Sequence, residues 1–169
     1  RRADARGHLA RGHHDPQTAV GAVEGEVEVE AVGARRGHPH REALPGIETS
    51  SGPLGSGLSQ AVGMALSHRM DNPYTSRYVY CITGDGELDE GQIWEAAMLA
   101  GKEKLHNLIV IVDRNGIQID GYTKDVMPLE PLRDKFEAFN FDVQEVDGHN
   151  IRAVNDAIGK AQAVYGQPS

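Results

Sequence analysis

Residues 77–91 read Arg-Tyr-Val-Tyr-Cys-Ile-Thr-Gly-Asp-Gly-Glu-Leu-Asp-Glu-Gly, a short apolar run that ends in a glycine-rich turn. The β-branched and aromatic residues of 77–83 predict a buried strand. After the turn, one face of a predicted helix is formed by Trp94, Ala97, Met98, Gly101 and Leu105. A strand, a glycine turn and an amphipathic helix in this order are typical of a parallel α/β sheet.

The same alternation continues on both sides of this stretch. Upstream, apolar residues recur every four positions and predict another helix, at Leu54, Leu58, Val62, Leu66 and Met70. Downstream, the pattern predicts a strand over 107–113, a helix from Pro131, a strand over 141–146 and a helix over 151–165. We therefore expect an α/β fold, a mostly parallel sheet with helices on both faces.

Composition excludes several classes of protein. The 169 residues carry a net charge of -8, which argues against nucleic acid or an anionic membrane as the main partner. Wholly apolar runs such as 108–112 reach only five residues, far too few to span a bilayer. A single cysteine, Cys81, rules out an internal disulfide and favours a reducing, cytoplasmic compartment.

Residues 1–36 differ from the rest of the chain. They contain six arginines and no lysine, aromatic residue or isoleucine, so they have little to bury. We interpret them as an atypical leader, either disordered or the product of an out-of-frame reading. An alternating stretch, 23–30, is the competing indication of a short strand.

The turn after the first predicted strand is where a ligand would bind, because parallel sheets bind ligands at the carboxyl ends of their strands. No Lys or Arg occurs in 84–100, whereas five carboxylates do. A phosphate would need a cation there, and Asp85 could hold Mg²⁺ or Ca²⁺. Asn115 follows the next predicted strand, thirty positions on, and a carbonyl just beyond could complete the site. Each residue alone is also compatible with an ordinary turn.

Several stretches carry a family resemblance. Gly84-Asp85-Gly86 followed by Asn115 resembles the signature of thiamine-diphosphate enzymes, and 37–40, 44–55, 84–95 and 117–121 resemble the diphosphate-binding domain of transketolase. The first component of pyruvate dehydrogenase is the nearest alternative. The resemblance makes 37–169 a partial thiamine-diphosphate domain that lacks the pyrimidine-binding domain and its catalytic glutamate.

The resemblance also implies roles for individual residues. The metal, Mg²⁺ or Ca²⁺, would be bound by the side chains of Asp85 and Asn115 and by the carbonyl of Ile117. Gly86 would donate its N–H to the diphosphate of the cofactor. The remaining implied contacts are Gly52 and Leu54 along the aminopyrimidine, Ile119 near the thiazolium, His38 facing the reacting carbon, and Glu90 and Glu95 at the subunit interface.

Two functions follow as hypotheses. In the first, the chain is part of a transketolase, an enzyme that uses thiamine diphosphate to transfer a two-carbon ketol unit from a ketose phosphate to an aldose phosphate. Its partner would be a carboxy-terminal transketolase half or a second subunit. The second is a non-catalytic module that binds a metal-diphosphate weakly. We also expect an exposed apolar patch for that partner, formed by Trp94, Met98, Leu54, Leu58 and Val62.

Overall fold

We describe residues 18–23, 41, 49–50 and 52–169 of a computed structural model of the chain, and only the backbone of 18–23. Three parallel strands form one sheet, in the order β1 (Thr18–Val23), β2 (Tyr78–Gly84) and β3 (Leu108–Asp113). The predicted α/β class with a parallel sheet and helices is confirmed.

Strands β2 and β3 bring the two candidate turns to one edge of the sheet. Strand β2 forms where the sequence predicts a buried strand, and alternate residues of it are buried. Gly84, the last residue of β2, lies opposite Asp113, the last residue of β3. Because the strands are parallel and end in register, the turns that follow them begin side by side.

Two helices pack in the core beside this sheet. Helix α1 (Ser56–Asp71) buries Leu58, Ala61, Val62 and Ala65, and helix α2 (Gly91–Glu103) buries Ile93, Ala96, Ala97, Ala100 and Gly101. Both begin immediately after glycine-rich turns, so the sheet and the two helices fix the positions of those turns. Leu58 and Val62 are core residues, and their predicted place in an exposed patch is wrong. Leu54 and Met98 are exposed, as predicted.

The carboxyl-terminal third holds shorter elements. A two-stranded hairpin, β4 (Ile117–Gln118) and β5 (Gly121–Tyr122), leads into the single-turn helix α3 (Thr123–Val126). Helix α4 (Leu132–Ala138) begins after Pro131, as predicted, and helix α5 (Ile151–Ala163) matches the last predicted helix. Aromatic contacts join α4 to α2, because Trp94 on α2 meets the rings of Phe136 and Phe139.

The predicted strand over 141–146 does not form, and the third strand of the sheet is β1 instead. Val110 donates to the carbonyl of Ser169 at 2.7 Å, and Ser169 donates to that of Leu108 at 3.1 Å. Ser169 therefore forms hydrogen bonds with the outer edge of β3 at these two residues. Asp142, in the predicted strand segment, donates to the carbonyl of Pro168 at 2.9 Å.

Strand β1 lies inside the segment interpreted as a leader, but the boundary at residue 36 and the origin of that segment stay predictions. His38 and most of the alternating stretch 23–30 lie outside the described residues. Within the part of the chain that the structure describes, no helix is long and apolar enough to cross a membrane.

Candidate cofactor and metal site

Asp85 is the centre of the site. It caps the amino end of a 3₁₀ turn, Gly86–Asp89, and its side chain is only 2% exposed. One carboxylate oxygen accepts from the N–H of Gly86 at 3.0 Å and the other from the N–H of Gly116 at 2.8 Å. Its own N–H donates to the carbonyl of Asp113 at 3.1 Å. This carboxylate therefore joins the turn after β2 to the turn after β3.

Asn115 and Ile117 follow in that second turn. The amide oxygen of Asn115 accepts from the N–H of Ile117 at 2.9 Å, and its amide nitrogen donates to Asp113 at 3.2 Å. The carbonyl oxygen of Ile117 lies 3.7 Å from the place where a Cβ on Gly86 would stand. The three predicted metal ligands thus belong to adjoining backbone segments that are tied together by Asp85.

The donor chemistry of these residues fits a hard divalent cation. A carboxylate, an amide oxygen and a backbone carbonyl are the ligand types of Mg²⁺ and Ca²⁺. In the described residues, no three His, Cys, Asp or Glu side chains converge as a metal cluster. A metal here would therefore be held by one carboxylate together with neutral oxygens, and a diphosphate could supply the remaining negative charge.

Gly86 cannot carry a side chain where it stands. A Cβ would lie 2.6 Å from the Cβ of Gln118 in the hairpin, closer than real Cβ atoms approach one another. The close approach leaves the backbone of the turn bare beside the carbonyl of Ile117. A bare backbone with N–H groups is the kind of surface that receives a phosphate group.

The turn itself carries several acidic side chains. Burial and the charges of Asp85 and Glu90 raise the pKa of Asp89 above its usual 3.8, while Lys135 opposes them. The carboxylates of this segment therefore repel one another in the folded protein. A bound cation would relieve the repulsion, which agrees with the sign of charge expected for the ligand.

Asp89→Asn should stabilise the chain at pH 7, because the raised folded-state pKa means that ionised Asp89 opposes folding. The gain should be about 1–2 °C in Tm, the usual scale for one exposed charge. It should shrink as pH falls through the folded pKa towards 3.8, where wild-type Asp89 is itself protonated. Thermal unfolding between pH 4 and 7 measures this, with Asp156→Asn on α5 as control. A Tm difference that grows on acidification would contradict the prediction.

The other predicted cofactor-contacting residues of the described chain lie in two loops. Gly52 and Leu54 precede α1, and the carbonyl of Leu54 accepts from the side chain of Gln92 at 2.8 Å. Ile119 stands at the tip of the β4–β5 hairpin, where its side chain is 95% exposed. Gly55 is pressed against the start of α2, since a Cβ there would lie 2.8 Å from that of Glu90. The loop before α1 and the Asp85 turn are therefore neighbours.

Glu90 and Glu95 are both exposed. Glu90 is the N-cap residue of α2 and makes no side-chain capping bond, and Glu95 lies one turn further along. The structure brings Glu90 next to the loop before α1 and leaves Glu95 on the outer face of α2. Their assignment to a subunit interface stays a prediction, as do the assigned roles of the other site residues.

Sequence reasoning missed the part played by Glu87 and Gln92. In the sequence Glu87 is only a residue that favours a helix amino terminus, yet its side chain is buried and accepts from the N–H of Gly55 at 2.7 Å. Gln92 reaches the same loop. The available signal was an acidic residue directly after Gly84-Asp85-Gly86, but nothing in its spacing indicates a partner 32 residues away.

Fold and site together define an α/β protein with a glycine-rich, acidic cofactor turn. The family description "Transketolase, thiamine diphosphate binding domain" matches residues 28–169. The chain is 45% identical to the 6-deoxy-6-sulfo-D-fructose transketolase subunit SqwG of Clostridium sp. strain MSTE9, over 95% of this chain and 61% of that protein. It is 45% identical to an apulose-4-phosphate transketolase subunit of Actinobacillus succinogenes, over 75% of this chain and 45% of that one.

Solved structures agree with these relatives. The crystal structure of transketolase from Campylobacter jejuni superimposes with a TM-score of 0.72 at 36% identity, covering 78% of this chain and 22% of that one. The chain belongs to the transketolase family and carries its thiamine-diphosphate-binding domain. It spans less than two thirds of the length of these relatives.

Proposed function

We propose that this chain is the cofactor-binding part of a transketolase that moves a two-carbon ketol unit from a ketose phosphate to an aldose phosphate. The buried Asp85 carboxylate, bonded across to Gly116, is the observation that carries the proposal. It supports a metal-diphosphate site within a domain of this family. The relatives named as subunits support an assembly with a separate pyrimidine-binding half.

The proposed metal is Mg²⁺ or Ca²⁺, bound by Asp85, Asn115 and the carbonyl of Ile117. Asp85 now accepts from the N–H of Gly86, which is the proposed donor to the diphosphate. A cation bound at that carboxylate oxygen would weaken this internal bond and make the N–H available to a phosphate oxygen. Metal and diphosphate would therefore bind cooperatively at one turn.

Thiamine diphosphate, when bound, supplies the nucleophilic carbon and the electron sink that cleavage beside a ketose carbonyl requires. The residues of this chain bind and orient it. Leu54 and Gly52 would contact the aminopyrimidine and Ile119 the thiazolium. His38 would hydrogen-bond substrate oxygens whose charge changes during the reaction.

A partner surface is supported by exposed apolar side chains around the site. Leu54, Ile117 and Tyr122 are 48%, 56% and 60% exposed, and Ile119 is almost fully so. Side chains of this kind grouped beside a site usually become buried in an interface or against a ligand. We propose that the pyrimidine-binding half covers them, with Glu90 and Glu95 at the edge of the contact.

The sugar substrates have a shared chemistry. One relative is named for a sulfonated ketose and another for a phosphorylated one. We propose that the donor substrate is a ketose with a phosphate group at the end remote from the transferred carbons. The second candidate is a ketose that carries a sulfonate at that position instead. Both are compact anions, so the assay should compare them directly.

The assembly test is a prediction in its own right. The full chain with Mg²⁺ and thiamine diphosphate should show no ketol transfer alone, because the catalytic glutamate is expected in the pyrimidine-binding domain. Transfer should appear when the pyrimidine-binding half of a split relative is added, and should saturate with that half. Coupled assays with ketose phosphates and sulfonates measure it, with the partner half alone as control.

Two outcomes would count against the proposal. Ketol transfer by this chain alone, at a rate proportional to its concentration, would refute the proposal that a separate pyrimidine-binding half is needed. If the chain binds the cofactor but shows no ketol transfer with any partner half and substrate tested, the non-catalytic binding module is favoured.

A further inference from the structure

Two side chains hold one peptide group of the loop before α1 from its two ends. The N–H of Gly55 donates to Glu87 at 2.7 Å, and the carbonyl of Leu54 accepts from Gln92 at 2.8 Å. These two groups belong to the same peptide bond, the one between Leu54 and Gly55. Because a peptide unit is planar, bonds to its N–H and its carbonyl together fix the orientation of the whole plane.

Within the described residues, the other close contact of this peptide group comes from the same segment, because a Cβ on Gly55 would lie 2.8 Å from that of Glu90. The side chain of Leu54 is 48% exposed, so core packing does not anchor it. Gly55 has a φ of 78°, in the left-handed region that favours glycine. The neighbouring contact is local, because Ser56 bonds back to the carbonyl of Pro53. The plane is therefore held mainly from outside the loop.

Both holding residues come from the segment that follows Asp85. Glu87 lies in the 3₁₀ turn that Asp85 caps, and Gln92 lies in the first turn of α2. Glu87 is 4% exposed, so its bond to the N–H of Gly55 is shielded from competing water. The loop before α1 and the Asp85 turn are thereby connected by two hydrogen bonds that cross more than thirty residues of sequence.

We propose that Glu87 and Gln92 are positioning residues that set the Leu54–Gly55 peptide plane, and with it the face that Leu54 offers to the aminopyrimidine, relative to the metal-diphosphate turn. This rests on the proposed function for the identity of the ligand. We call the two hydrogen bonds from Glu87 and Gln92 to this peptide group the clamp, and the clamp does not depend on the proposed function. It predicts that loss of one bond disturbs the aminopyrimidine end of the cofactor and spares the diphosphate end.

The test uses Gln92, which is only partly buried, so its replacement should leave the fold intact. Gln92→Met keeps the length of the side chain and removes the donor, whereas Gln92→Lys restores a donor. Gln144→Met is the matched control, since Gln144 donates to the carbonyl of Ala157 on α5. Each variant is assembled with the partner half and titrated with thiamine diphosphate and, separately, with inorganic pyrophosphate, both with Mg²⁺.

Gln92→Met should weaken thiamine diphosphate binding by about 3- to 10-fold, the scale of one lost hydrogen bond. Pyrophosphate affinity should not change, and Gln92→Lys and Gln144→Met should resemble wild type. Amide hydrogen exchange of the full chain without cofactor gives a second measure. The Gly55 amide should exchange faster by a similar factor in Gln92→Met, whereas the buried amide of Ala97 should not.

The outcomes separate the clamp from the proposed function. An unchanged Gly55 exchange rate would overturn the clamp, whatever the cofactor does. Faster exchange with unchanged thiamine diphosphate affinity, or equal weakening of pyrophosphate, would overturn the positioning role. Wild-type protein that binds pyrophosphate but no thiamine diphosphate would refute the proposed function, and the positioning role with it, while the exchange data would still judge the clamp.

Discussion

Asp85→Asn should weaken Mg²⁺-dependent binding of thiamine diphosphate by at least 10- to 100-fold in the assembled enzyme. Changes to residues that only support a metal ligand already cost about that much, so loss of a direct ligand should cost no less. The carboxylate of Asp85 joins both turns of the site, through Gly86 and Gly116. An amide in its place has one oxygen, so it can neither keep both bonds nor neutralise the metal.

Near-UV circular dichroism titrations of the cofactor, with and without Mg²⁺, measure this effect. Asn115→Leu provides a second variant, since Asn115 is exposed and its loss should not threaten the core. Asp156→Asn is the control for removal of an acidic charge elsewhere. Thermal unfolding without cofactor shows whether each variant is folded. Unchanged and metal-independent affinity in both site variants would mean that these residues hold no metal.

The main features of this site could be predicted from the sequence because they depend on local signals. A β-rich run followed by Gly84-Asp85-Gly86 defines a strand and its turn, and the same holds for the strand before Asn115. The two strands are parallel neighbours and end in register, with Gly84 opposite Asp113, so the two turns that follow lie side by side. The absence of basic residues in 84–100 then indicates a cation before any geometry is known.

Features that depend on distant contacts were not predictable in the same way. Strand β1 comes from a segment whose apolar residues are mainly Ala and Val, with no isoleucine or aromatic residue to mark a buried strand, so its pairing with β2 has no clear signal in the sequence. The segment 141–146 has a strand-like pattern and Phe141 is buried, yet Ser169 bonds to the adjacent edge of β3. Whether such a segment pairs with a strand depends on which other part of the chain occupies that strand's edge in the folded protein. Local composition does not encode this.

The same limit applies to the clamp. Glu87 and Gln92 act on a peptide bond that lies more than thirty residues earlier in the chain. Only the packing of α1 against α2 brings that bond within reach. A glutamate after a glycine turn is otherwise typical of a helix start, so its sequence context indicates the commoner role.

The close approach of α2 to the segment after α4 leads to the second large effect. Gly101 is buried on α2, and a Cβ there would lie 1.8 Å from the carbonyl oxygen of Phe139 and 2.9 Å from its carbonyl carbon. The obstacle is backbone, so it cannot rotate away as a side chain could. Phe139 also contacts Trp94, so a shift of this segment would disturb the aromatic contacts that join α4 to α2.

Gly101→Ala should therefore destabilise the chain by about 3 kcal/mol or more, at the upper end of overpacking effects. This corresponds to a fall in Tm of roughly 6–12 °C for a chain of this size. Gly63→Ala in α1 is the matched control, because a Cβ there meets nothing within 4 Å. Alanine is the better helix former by about 1 kcal/mol, so that variant should be equally or more stable than wild type.

Urea unfolding of the full chain, followed by far-UV circular dichroism, measures both variants against wild type. The same chemical change should thus have opposite signs at two helical glycines, and only the contact with Phe139 distinguishes them. A Gly101→Ala protein as stable as Gly63→Ala would mean that α2 does not pack against the carboxyl end of α4. The position of Trp94 would then be undefined, and with it the packing that supports α2, whose first turn follows the Asp85 turn and carries Gln92.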